Sequence, residues 1–188
     1  MSNKSHGVDK HAHLVGYERS SPIKLRVSPL YPPFRVVLVE PEIPPNTGSI
    51  ARTCAAMSTP LHLIEPLGFR IDDRSLRRAG IDYWHLVEVH LHPSFEDFEQ
   101  RFPVRKVHLL SANAKRSFLE ADFVAGDAIA FGRESVGLPL SLCERFADSM
   151  WAIPTSGKVR SLNLANAVSI VLFEAMRRQG AFASCFLE

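Results

Sequence analysis

The sequence predicts an α/β protein with a mostly parallel sheet flanked by helices. Three observations carry that expectation. Short aliphatic and β-branched runs recur from Arg35 onward, helical patterns lie between several of them, and stretches rich in Gly, Pro, Asn and Ser follow the strands. At 188 residues, 46% of them apolar, the chain is long enough to fill one core.

Taken in order, Val36–Val39 is a β-branched run stopped at Glu40-Pro41. Thr47–Met57 places Ile50, Cys54 and Met57 at helical spacing, and Leu61–Ile64 reads as a second strand, ended by Pro66. Strand, helix, strand order favours parallel pairing. Val87–Leu91 reads as a short strand. Ser94–Phe102 reads as a helix that opens with Ser94 and Asp97 in capping-box spacing and carries Phe95, Phe98 and Phe102. Val107–Leu110, Ala128–Phe131 and Trp151–Ile153 are compact enough to be buried strands. Leu164–Met176 is the longest helical pattern, closed by Arg177, Arg178 and Gly180.

Residues 1–34 read as a flexible N-terminal extension ahead of a domain spanning 35–188. His, Ser, Lys and Pro dominate the extension, and Pro29, Pro32 and Pro33 interrupt any regular element. Its basic residues (Lys4, Lys10, Arg19, Lys24, Arg26) outnumber Asp9 and Glu18, the pattern of a solvated tail, and His6, His11 and His13 lack the fixed geometry a metal needs. The N-terminus carries no signal-peptide apolar region, and no apolar run reaches the ~18 residues of a membrane span. Cys54, Cys143 and Cys185 form neither a disulfide framework nor a zinc ribbon, which suits a reducing cytosol. A soluble cytoplasmic protein with no membrane partner is expected. A net charge of +2 excludes a histone-like nucleic-acid binder but leaves room for a local basic face.

Ligands of open parallel sheets sit beyond the carboxyl ends of the strands. The stretches found there are EPEIPPNTGSIAR, SANAK, GRESVGLP and PTSGKVRSLNLAN. No G-x-G-x-x-G, nucleophile elbow or H-E-x-x-H is present. Gly132 and Gly137 have P-loop spacing, but Leu138 and Pro139 stand where Lys and Ser/Thr belong. No metal is implied. Asn46 or Thr47 reads as the cap of the first helix. One turn after Gly48, Arg52 reads either as a surface arginine or as a group facing a phosphate or ribose. Gly132-Arg133-Glu134 reads equally as loop punctuation and as ligand contact, with the carboxylate accepting backbone N–H bonds or holding a basic group. Ser161 and Asn163 read as helix capping or as groups for a ligand at a helix N-terminus.

Three blocks in order, EPEIPPNTGSIARTCA, AFGRESVGLP and IPTSGKVRSLNLANAVSIVLFEA, resemble the SPOUT class of RNA methyltransferases. The similarity is greatest to the tRNA (cytidine/uridine) 2′-O-methyltransferases of the wobble nucleotide. IEPLGFRIDDRSLRRAGIDYW also fits that group, and the resemblance runs from Arg35 to Gly180. It implies a C-terminal trefoil knot, an exception to the rule against threaded chains. It also implies S-adenosylmethionine as cofactor, S-adenosylhomocysteine as product, tRNA through its anticodon stem-loop as partner, and a homodimer, for which the wide apolar face of Leu164–Met176 is suited. Carried over by motif position, Leu110, Gly132, Ile153, Ser161 and Leu162 hold the cofactor. Arg52 orients or activates the ribose hydroxyl, electrostatically, or as a base only if its pKa is strongly perturbed, and Asn46, Glu134, Ser161 and Asn163 shape the pocket. Arg74, Arg77, Arg78, Lys115, Arg116, Lys158 and Arg160 are candidates for a basic RNA-facing surface. Two features depart from the group: Phe173 stands where relatives often carry Tyr, and the PTSGKV loop differs from some relatives. Methylation of another RNA such as rRNA, a non-catalytic RNA-binding module of the same fold, and an unrelated nucleotide-binding α/β protein are the rival readings.

Overall fold

A computed structural model of the chain describes residues 25–70 and 86–187. The lysines, histidines and other charges of residues 1–24 and Arg74, Arg77 and Arg78 lie outside the described residues. The strands are β1 (Leu25–Arg26), β2 (Arg35–Val39), β3 (Leu61–Ile64), β4 (Val89–His92), β5 (Val107–Leu110), β6 (Ala128–Phe131), β7 (Met150–Trp151) and β8 (Phe186–Leu187). The helices are α1 (Pro44–Ala56), α2 (Phe95–Arg101), α3 (Leu140–Arg145) and α4 (Leu164–Arg178). Six strands form a wholly parallel sheet in the order β4-β3-β2-β6-β5-β7, while β1 and β8 pair antiparallel as a separate ribbon.

Apart from Arg35, His62 and His108, the central strands are apolar because helices cover both faces, and alternate side chains feed two cores. On one face Val36, Leu38, Leu61, Leu63, Ile129 and Phe131 meet Ile50 and Cys54 of α1 and Val168, Val171, Leu172 and Met176 of α4. On the other, Val37, Val39, Leu109, Ala128 and Ala130 meet Phe95 and Phe98 of α2 and Leu142 of α3. Phe34, just ahead of β2, is also buried in the first core. Among the described residues no helix is long and apolar enough to cross a membrane.

The strand order fixes where a ligand can sit. β2 and β6 are neighbours although 93 residues separate the paired positions Val36 and Ile129, so the loops leaving their carboxyl ends lie side by side. Two of the four described helices start on a side-chain cap. Ser94 caps α2, its Oγ accepting from Asp97 N at 3.3 Å, and Asn163 caps α4. The expected cap of α1 is different: neither Asn46 nor Thr47 serves. The N-cap position is Ile43, and Pro44 and Pro45 fill the first turn, where a missing N–H is harmless. Asn46 is drawn away from capping by partners in two distant loops. Thr47 is fully buried. β4 lies slightly later than expected and β7 slightly earlier, and the short α3, β1 and β8 appear where no element was expected.

Candidate active site

A cleft of about 800 Å³ opens at the carboxyl ends of β5, β6 and β7. Leu110, Phe131, Leu138, Met150, Ile153 and Leu162 give it apolar walls, and Asn46, Ser111, Glu134, Arg160, Ser161 and Asn163 supply polar lips. Gly132 is obligatory here. A Cβ on it would stand 2.2 Å from the Gly137 carbonyl carbon and 2.3 Å from Leu138 N. That approach comes from a tight turn in which Arg133 and Gly137 exchange two backbone hydrogen bonds of 3.0 Å, with Gly137 in the left-handed region at φ 80°.

The three loops are joined by one directional relay of side chains. Asn163 Oδ1 accepts from the helix N–H groups of Ala165 (2.9 Å) and Asn166 (3.4 Å), which leaves its Nδ2 to donate to Asn46 Oδ1 at 2.9 Å. Asn46 Nδ2 then donates to Glu134 Oε1 at 2.9 Å. The direction is forced, because helix N–H groups only donate and a carboxylate only accepts. Glu134 also accepts from the backbone N–H groups of Glu42 (2.9 Å) and Ile43 (3.3 Å), so it braces the turn that enters α1. Glu42 returns the contact, accepting from Ser135 N at 3.0 Å and Ser135 Oγ at 2.8 Å. Arg133 forms an ion pair with Glu40, which itself holds φ 53°. Charge-assisted bonds of this kind fix loops that would otherwise be free to splay.

The residues expected to hold a cofactor, Leu110, Gly132, Ile153, Ser161 and Leu162, all line the cleft, as do Asn46, Glu134, Ser161 and Asn163. Arg52 does not: it is exposed on α1, outside the lining residues. Of the expected basic surface, Lys115, Lys158 and Arg160 are exposed, with Arg160 on the cleft rim. The Arg116 guanidinium is otherwise engaged, lying 4.4 Å over the Trp151 ring and donating to the Asp148 carbonyl. Sequence reasoning passed over Glu42 and Ser135, since the bonds between them span 93 residues and leave no local signal.

A model of the SpoU rRNA methylase family matches residues 33–173, most of the chain and all three loops. The chain belongs to the SpoU rRNA methylase family. A tRNA (cytidine(34)-2′-O)-methyltransferase of Aeromonas hydrophila is 43% identical over 146 residues, which make up 77% of this chain and 94% of that protein. A solved structure described as giving insight into 2-OH methylation of C/U34 on tRNA superposes with a TM-score of 0.73 at 47% identity, covering 78% of this chain and 95% of that one. An AdoMet-bound rRNA methyltransferase of Sinorhizobium meliloti superposes with a TM-score of 0.68 at 29% identity, covering 81% of this chain and 61% of that one.

As a SpoU methylase, the chain needs room for a nucleoside-sized group with an apolar and a polar part. Its cleft meets both requirements, with a volume in the range of small-ligand sites and aliphatic walls beneath amide and hydroxyl lips. Cys143, which also lines the cleft, is no rival nucleophile. Burial raises its thiol above the ordinary range, outweighing its own backbone hydrogen bond, and its Sγ lies 3.9 Å from the Leu138 carbonyl.

Proposed function

We propose that this SpoU methylase transfers a methyl group from S-adenosylmethionine to the ribose 2′-hydroxyl of the wobble nucleotide of tRNA, cytidine or modified uridine. The observation that carries the reading is the relay of Asn163, Asn46 and Glu134, which draws three sequence-distant loops into one rim around a nucleoside-sized cleft. Substrate choice is supported by proportion. The chain spans nearly the whole of the relatives named for position 34 of tRNA, at 43–47% identity, but only 61% of the rRNA methyltransferase, at 29%.

The cofactor would supply an activated methyl group and leave as S-adenosylhomocysteine. Leu110, Gly132, Ile153, Ser161 and Leu162 are the residues that would hold it. Glu134 is committed to three donors and so acts as a fixed acceptor, not a mobile base. The relay keeps Asn163 in place on the rim that Ser161 also lines, so that the hydroxyl and the methyl donor meet in line, which supplies much of the rate. Arg52 stabilises the oxyanion that develops as the ribose proton departs. Because it stands outside the cleft of its own chain, that role calls for a homodimer in which α1 of a second copy approaches the rim. The half-exposed Phe173 and Ile170 on α4 suit such an assembly. Residues 35–188 form the catalytic domain in this reading, with the C-terminal segment threaded as a trefoil knot. The enzyme works in the cytoplasm on the anticodon stem-loop, with Lys115, Lys158 and Arg160 toward phosphate.

Mapping ribose methylation of tRNA by mass spectrometry in cells lacking the gene tests the reading. Loss of the 2′-O-methyl group at the wobble nucleotide is expected. An unchanged wobble nucleotide with a lost methyl group in rRNA overturns the substrate, and an unchanged methylation pattern overturns the activity.

A further inference from the structure

Beneath the cleft lies a second buried polar group that the relay above does not use. Asp127, fully buried, accepts from Arg105 Nε at 3.0 Å and Nη2 at 2.6 Å, from Val124 N at 2.9 Å, and from His108 Nε2 at 3.1 Å. Burial alone would raise its carboxyl; the bonds from His108 and Arg105 outweigh it and hold the group below the usual range, so it stays ionised. A carboxylate only accepts, so His108 must carry its proton on Nε2 and present a bare Nδ1. That lone pair takes the indole N–H of Trp151 at 3.1 Å. His108 is fully buried and Trp151 nearly so, and both donors would be orphaned without this arrangement.

Trp151 is the hinge between this group and the cleft. Its carbonyl accepts from Ser111 N at 2.9 Å, and the next residue, Ala152, exchanges bonds with the Arg116–Phe118 segment at 2.8 and 2.9 Å. Arg116 closes the remaining face of the indole. On either side of Trp151 in sequence, Met150 and Ile153 line the cleft, and so do Leu110 and Ser111 on the paired strand. Whatever sets the indole sets that wall.

We propose that His108 is a positioning residue for cofactor binding, acting through Trp151, and that the acceptor at its Nδ1 position is the part that matters. The inference rests on the S-adenosylmethionine reading of the cleft. Three substitutions separate acceptor from packing. Asn places its side-chain oxygen near the position of Nδ1, Gln places its amide near that of Nε2, and Phe keeps the ring against Phe123, whose centroid is 4.7 Å away, but offers no acceptor.

The test uses the full chain labelled with 15N-tryptophan, its two indole signals distinguished with Trp84→Phe, and calorimetry with S-adenosylmethionine. The wild type and His108→Asn are expected to keep a slowly exchanging Trp151 indole proton and to bind within about twofold of each other. His108→Phe and His108→Gln are expected to lose that protection and bind roughly tenfold more weakly, the loss of one buried hydrogen bond. If affinity follows packing instead, with His108→Phe as good as or better than His108→Asn, the proposal is overturned. Should His108→Phe fail to fold, the Asn and Gln pair decides the same question. A wild type that binds no S-adenosylmethionine sinks the function reading itself, whereas wild-type binding with an indifferent His108 sinks only the positioning role.

Discussion

The side-chain relay at the cleft and one at the far edge of the sheet both end on carboxylates, and they are made of different groups. At the cleft, helix N–H groups, Asn163, Asn46 and Glu134 form a chain of amides. At the far side of the sheet, His62 Nδ1 meets His92 Nε2 at 3.0 Å, and His92 Nδ1 meets Asp97 Oδ2 at 2.8 Å. The amide relay ties loops together and faces a cavity. The imidazole relay runs between paired strands and α2, packed by Phe98 and Phe102 with ring centroids 4.9 and 4.6 Å from His62. Amides do not titrate, so the rim they join keeps its geometry across the physiological range. Histidines do titrate, so the other relay links fold stability to pH. Position and chemistry together separate a region built for a ligand from one built for packing.

Arg52→Ala is the largest expected break in that division. Turnover should fall by roughly 10²–10³, the usual loss for one oxyanion-stabilising donor, while calorimetric affinity for S-adenosylmethionine stays within about twofold. Mixing this variant with one whose cleft is closed should restore part of the activity if a second copy supplies Arg52; two inert partners that stay inert when mixed remove the dimeric site.

Gly132→Ala supplies that closed cleft. Its Cβ would collide with backbone at Gly137 and Leu138, so cofactor binding should be lost and folding stability, read from urea unfolding, lowered by about 1–3 kcal/mol of overpacking strain. Normal affinity in this variant would mean that the turn at Arg133–Gly137 is looser than its two hydrogen bonds imply.

The imidazole relay is expected to respond to acid instead. Burial, reinforced by the neighbouring charges of His90 and His92, pushes His62 down to about 2, so the folded state holds it neutral. An unfolded histidine takes up a proton below about pH 6.5, and the folded one does not. Stability is therefore complete above that pH and declines as pH falls toward the folded value. Between pH 7 and 4.5 the loss should be about 2–3 kcal/mol, read from urea unfolding. His62→Leu should flatten that slope without changing the turnover of the folded enzyme at pH 7; an unaltered slope would assign the acid sensitivity elsewhere.

The finest distinction lies within the amide relay. Asn163→Asp keeps an oxygen to cap α4 but loses the donor to Asn46, so the melting temperature should hold while turnover falls several-fold, a change of about 1 kcal/mol. A drop in melting temperature with turnover intact would make Asn163 a cap and nothing more.

Which parts of this were legible in the sequence follows from how local their causes are. Leu61–Ile64, Val107–Leu110 and Ala128–Phe131 are found where expected, because strands covered on both faces read as short, mostly apolar runs, broken in these three only by His62 and His108. Ser94 and Asn163 were recognisable as caps, since a cap answers to its own helix. β1 and β8 are two residues long and α3 six, too short for any period to show. Asn46 was misread as a cap because what claims its side chain, Glu134 and Asn163, lies 88 and 117 residues away. Arg116 is exposed, as a surface cation should be, but its partners Trp151 and Asp148 arrive only with the sheet order. The family motifs drew attention to the right loops, but the bonds that hold those loops together are a property of topology.

The central claim, methyl transfer to the wobble ribose, is tested most directly with purified protein. An unmodified tRNA transcript would be incubated with S-adenosylmethionine carrying a deuterated methyl group, digested, and sequenced by mass spectrometry. The account predicts one labelled methyl group, on the 2′-oxygen of nucleotide 34, absent with Arg52→Ala. Label on a base or at another ribose would contradict it, and so would an unlabelled product.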